Sequence, residues 1–180
     1  MIARRSLAAG LLCATALAAC GTVTVSGTTV TVNVAQAVAY SSGIYALVNS
    51  FLAFPGVAKA LGSSLPAVQT ALNDIAAVGP AVQVAAGNAQ TFSFNSASPP
   101  SFLASLTADL GVLRADVQAA MTVLGSGATP QVTTYYQATL AVIGAITALF
   151  AIGGTLAATA PSQSSMSVKD ALALVHVKAP

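Results

Sequence analysis

Between residues 21 and 34 the chain reads GTVTVSGTTVTVNV, with valine and threonine in near-strict alternation. Period-two spacing is that of a strand with one face buried. A two-residue turn at Ser26-Gly27 would pair Val25 with Thr28, Thr24 with Thr29, Val23 with Val30 and Thr22 with Thr31. Val23, Val25, Val30 and Val32 would then share one face, and all the threonines but Thr28 the other. This predicts a β-hairpin. A lone hairpin is marginal in water, so its valine face needs a surface to lie on. The other reading of the same stretch is a threonine-rich tether.

Beyond residue 34 the period changes to that of a helix. Asn33-Val-Ala-Gln36 resembles a capping box for a helix running to about Phe54, and Ala37, Tyr40, Ile44, Leu47, Phe51 and Phe54 form its stripe. Pro55-Gly56 stops it, and a short turn is expected from Val57 to Leu61. Ser64 is placed to cap a second helix, with Leu65, Val68, Leu72, Ile75 and Val82 on its apolar face. A kink or break is expected at Gly79-Pro80, because proline lacks the backbone donor and restricts the residue before it. Residues 87–100 are read as a polar loop whose Phe92 and Phe94 either fold back onto the core or face a partner.

The clearest helical pattern spans Ser101 to Leu124: Leu103, Leu106, Leu110, Leu113, Val117, Ala120 and Leu124 keep an a/d-like spacing. Gly125-Ser-Gly127 ends it. Thr129-Pro130 opens another helix, and from Ala138 to Ala160 no residue is charged. That run is long enough to cross a bilayer, which takes about 20 residues. Two readings follow: a central helix hidden on every side, or a transmembrane span, with Gly144 and Ala148 as a small-xxx-small step for close helix contact. Gly153-Gly154, several threonines and the lack of basic flanks favour the hidden helix. Pro161 to Ser165 is a linker, and Ser167-Val-Lys-Asp170 resembles a capping box for a short helix to about Val177. The pattern predicts a mainly α fold, an antiparallel four-helix bundle with a short N-terminal β-hairpin or tether. Its core is expected to hold Ile44, Leu47, Phe51, Leu72, Leu106, Leu110, Leu113, Ile143, Ile146 and Phe150.

Charge changes this picture at one end only. The net charge is +2, from six basic and four acidic residues. Two of the basic residues, Arg4 and Arg5, precede an uncharged, mostly apolar stretch from Leu7 to Ala16, in the order of a secretory signal. Without them four basic residues face four acidic ones, so no basic surface is left to hold nucleic acid.

The signal ends in Leu17-Ala18-Ala19-Cys20, a leucine three positions before a cysteine with small residues between. This resembles the lipobox of bacterial lipoproteins, over the first 21 residues. The resemblance implies diacylglyceryl attachment to the Cys20 thiol, cleavage before Cys20 and acylation of its new amine. It also implies that Gly21, unlike an aspartate there in enterobacteria, permits sorting to the outer membrane. Cys13 lacks the leucine, because Gly10 stands three positions before it. The chain then divides into a removed signal (1–19), a lipidated N-terminus with hairpin or tether (20–34), a helical domain (35–160), and a linker with a short helix (161–180). Both cysteines lie in or at the end of the signal, so no internal disulfide is expected in the mature chain.

Candidate chemistry is sparse. The chain has one histidine, His176, no glutamate, and the aspartates Asp74, Asp109, Asp116 and Asp170. A Ser-His-Asp set could be drawn from His176, Asp170 and a serine, but no serine sits in a G-x-S-x-G elbow. Clustered His and Cys for zinc, carboxylate loops for calcium and glycine-rich phosphate motifs are all missing. No catalytic residue, metal or cofactor is expected. The expected partners are the membrane, through lipid on Cys20, and an envelope protein. A pore-forming component using residues 138–160 and a carrier of a small apolar ligand are the alternatives.

Overall fold

The computed structural model describes residues 24–26, 28–150 and 166–176. The signal region, Cys13, Cys20, Gly21, residues 151–165 and Val177 lie outside the described residues. The chain is mainly helical, with a small three-stranded antiparallel sheet.

The sheet is ordered β1 (Thr24–Ser26), β2 (Thr29–Asn33), β3 (Thr91–Asn95). The hairpin register differs from the expectation. Thr24 pairs with Thr31, Val25 with Val30 and Ser26 with Thr29, two residues away from the pairing of Val25 with Thr28. A shift of two leaves every side chain on its own face, so alternation alone could not separate the two registers. The observed one sets Val25 opposite Val30, an apolar pair in place of valine against threonine.

The third strand corrects the reading of residues 87–100 as loop. Thr91-Phe-Ser-Phe-Asn95 alternates with period two, and Phe94 and Phe92 stand beside Val30 and Val32 of β2. Val30 and Val32 are buried, and the two phenylalanines are half-buried against the core. Val30 and Val32 therefore find a packing surface, while Val25 of the same face is 57% exposed; the opposite face carries the hydroxyl and amide side chains, with Thr31 Oγ1 2.7 Å from Ser93 Oγ.

β2 runs directly into α1 (Val34–Leu52), and Asn33 serves both elements. Its Oδ1 accepts from the Gln36 amide at 3.1 Å, the cap expected of it. Next come α2 (Val57–Leu61) and a single turn of 3-10 helix at Gly62–Ser64, which leads into α3 (Leu65–Ala86). That turn puts Ser64 in helical conformation, so its side chain makes no capping bond, contrary to expectation. α3 also runs unbroken through Gly79-Pro80. Pro80 is exposed, and Gly79 lies buried against α1, so packing holds the segment helical where the local sequence argues for a break.

The helix expected from Ser101 is divided into α4 (Ser101–Ala104) and α5 (Leu106–Leu124), with Ser105 between them. Its apolar stripe survives the division: Leu103, Leu106, Leu110, Leu113, Val117 and Ala120 are all buried. α6 (Pro130–Leu149) begins at the Thr129 cap, whose Oγ1 accepts from the Val132 amide at 3.3 Å, and closes at Phe150. Residues 151–160 of the uncharged run lie outside the described residues. α7 (Val168–Ala173) carries the expected Ser167 cap but ends four residues short of Val177, in a turn where His176 has φ of 56°.

α1 packs on α3 and α6, α3 on α5, and α5 on α6; α2 lies against α5, and α7 against α6 and α1. All ten core residues expected from the sequence are buried.

Candidate functional site

Among the described residues, those with chemical potential do not converge. Asp170 is occupied as part of a helix cap: its amide donates to Ser167 Oγ (3.1 Å), and the Ser167 hydroxyl lies 2.7 Å from Asp170 Oδ2. His176 stands exposed just beyond α7, its amide bonded to the Ala173 carbonyl. Neither arrangement delivers a base to a nucleophile. Among the described residues no group of three metal-ligating side chains comes together.

Asp109, in the first turn of α5, is the most perturbed acid. Burial pushes its carboxyl pKa up, a hydrogen bond from Ser105 offsets part of that, and the Asp74 carboxylate on α3 adds to the rise. Its Oδ2 is buried without a hydrogen-bond partner. A like charge nearby disfavours ionisation of Asp109, adding to the larger effect of burial. The raised pKa bears on the stability of the fold.

An open cleft of about 570 Å³ sits where β2 enters α1. Asn33, Gln83 and Gln90 supply carboxamides around it, and Val38 and Ala39 form part of an apolar floor. It contains no titratable group. It opens to solvent, unlike the interior cavity expected of an apolar-ligand carrier.

The apolar helix has a definite setting. Along α6, Ala138, Val142, Ile143, Ile146 and Leu149 are buried, as are Thr139 and Thr147. The two threonine hydroxyls donate to carbonyls one turn back, Tyr135 and Ile143, at 2.8 Å each. Satisfied within their own helix, they carry little penalty in any apolar setting. The small-xxx-small step is not a packing site among the described residues: Gly144 is exposed and has nothing within 4 Å of where a Cβ would stand.

The small residues that do permit close approach are Gly43, which sequence reasoning passed over, and Gly79, which it read only as part of a kink or break. A Cβ on Gly79 would meet α1, and a Cβ on Gly43 would overlap Leu172 of α7. A lone glycine inside a helical stripe was the signal to follow, because it costs about 1 kcal/mol against alanine unless packing needs it. Phe92 and Phe94 turn inward, with ring centroids 5.8 Å apart and Phe92 6.0 Å from Phe102 of α4. They clamp β3 to the helices.

No protein-family profile, curated protein or solved structure matches the chain.

Proposed function

We propose that the chain is a non-enzymatic lipoprotein of the bacterial cell envelope, held to the membrane through lipid on Cys20 and acting by protein contacts. Leu17-Ala18-Ala19-Cys20, standing behind Arg4-Arg5 and an uncharged stretch, carries this reading. The balanced charge after residue 20 and the lack of convergent acid-base groups among the described residues are consistent with a structural or assembly role. If the host is Gram-negative, Gly21 favours the periplasmic face of the outer membrane.

The long helices α1, α3, α5 and α6 are read as an antiparallel bundle. Phe54, just past the end of α1, lies 5.4 Å from Tyr135 near the start of α6. Gly79, late in α3, lies against Val38, early in α1. Both contacts support neighbours that run in opposite directions.

Labelled palmitate supplied to cells expressing the full chain tests the anchor. The wild type should take up label and fractionate with membranes, and Cys20→Ser should do neither. Equal labelling of the two would overturn the reading.

The pore-forming alternative draws on α6, which has the length and composition of a membrane span over 20 residues. In the structure 61% of its most apolar window is buried against the rest of the chain, which favours an interior helix. Alkaline extraction separates the two: Cys20→Ser should leave the membrane pellet, whereas a spanning protein would remain in it.

A further inference from the structure

The end of the molecule that carries the sheet is built from uncharged sequence. Residues 24–58 and 75–108, which include the three strands, α1, α4 and α3 beyond Asp74, contain no Asp, Glu, Lys, Arg or His. The cleft that Asn33 and Gln83 line together sets the end of α3 beside the entry to α1, and the contact of Phe92 with Phe102 brings α4 to the same end. Val84, in the last turn of α3, is 82% exposed there. Asp74 lies about 18 Å along α3 from Ala86, and Gly43, where α7 with Lys169 and Asp170 is seated, about 15 Å along α1 from Asn33, at about 1.5 Å per residue. Asp109, in the first turn of α5, is half-buried. Exposed Lys59 belongs to α2, beyond the far end of α1. Thr24 opens β1 four residues after Cys20. Four residues reach at most about 14 Å when fully extended, so a lipid on Cys20 holds the sheet within about that distance of the bilayer.

We propose that this uncharged end is the surface on which the lipidated protein rests against the headgroup layer of the bilayer. The proposal rests on the Cys20 anchor and adds to it the orientation of the domain above the membrane. Taking a charge out of water is costly, and the strands, α1 and α4 hold none to take. Exposed Thr24, Ser26, Thr29 and Ser93 carry hydroxyls that exchange water for headgroup oxygens, while Val25 and Val84 gain by leaving water. The contact can be weak and still persist. A short link to an anchored residue makes docking an intramolecular event, with an effective concentration on the order of millimolar. Lys59 and the loop after α5 then point away from the membrane, at the end left for protein contacts.

Two exposed valines at opposite ends test the orientation. Val123, near the end of α5, is 69% exposed, and Leu124 beside it lies against Gly56 at the far end of α1. Removal of the signal and lipidation of Cys20 leave no free thiol, so an introduced cysteine is the single labelling site. Full-length Val84→Cys and Val123→Cys are expressed, checked for palmitate uptake, labelled with a fluorophore and reconstituted into phosphatidylethanolamine–phosphatidylglycerol vesicles that carry a nitroxide on the headgroup. Quenching at position 84 should exceed that at 123 at least threefold. Equal quenching, or stronger quenching at 123, would overturn the proposal, and palmitate uptake by the same samples would leave the anchor standing. Absence of palmitate uptake by the unsubstituted chain would remove the anchor and the proposal together. Equal quenching in vesicles, joined by protection of position 84 from an aqueous alkylating reagent in whole envelopes, would assign this surface to a protein instead of lipid.

Discussion

Gly79 on α3 and Val38 on α1 approach so closely that a Cβ on the glycine would stand 3.0 Å from the Val38 Cα and 3.2 Å from the Ser41 Cβ. Neither obstacle is the free end of a long side chain. The glycine therefore sets the distance between two helices, and the proline after it is tolerated because that packing holds the backbone helical.

Two glycine-to-alanine changes should act in opposite directions. Alanine is favoured over glycine in a helix by about 1 kcal/mol. At Gly79 that gain is outweighed by overpacking against backbone, which costs about 1–3 kcal/mol, so Gly79→Ala should lower the urea midpoint. At Gly111 nothing lies within 4 Å of the new methyl, so Gly111→Ala should raise it. Denaturation curves of the two variants check both signs.

Asp109 should make stability fall as pH rises. Its folded pKa is raised above the ordinary 3.8, so the fold binds the proton more tightly than the unfolded chain does. The stabilisation is complete below that ordinary value and is lost as pH climbs through the folded pKa. Asp109→Asn should remove this component and melt higher than wild type at neutral pH. Thermal melts from acid to neutral pH measure it.

The cap at the junction of β2 and α1 should be worth about 1 kcal/mol. Asn33→Ala removes the acceptor of the Gln36 amide, and Asn33→Asp keeps it. The alanine variant should be the less stable of the two by that amount in urea titrations.

β3 depends on its inward rings. Phe92→Ser strips the contacts with Phe94 and Phe102 and should cost about 2 kcal/mol. Thr91→Ser, on the exposed face, should be near neutral. The pair distinguishes a packed strand from a loop.

Much of the architecture was legible in the order of residues. The stripes of α1 and α5, the caps at Asn33, Thr129 and Ser167, and all ten expected core residues stand where period and capping chemistry put them. These are local properties, decided by side chains within one or two turns. β3 was not read from the sequence: Thr91-Phe-Ser-Phe-Asn95 alternates over only five residues among turn formers, and the stretch was read as loop. The Gly43 notch was not legible, because its partner Leu172 lies far along the chain.

The sequence by itself determined the helices and their burial stripes, because periodicity and capping are written in adjacent residues. Only the tertiary structure decided the hairpin register, the continuity of α3 through Pro80 and the seat of α7. Two registers that differ by two residues bury the same valines. A proline stays in a helix when a neighbouring helix packs against the residue before it, and a glycine becomes a notch only when a distant leucine arrives to fill it. Each depends on contacts between segments that the linear order does not bring together.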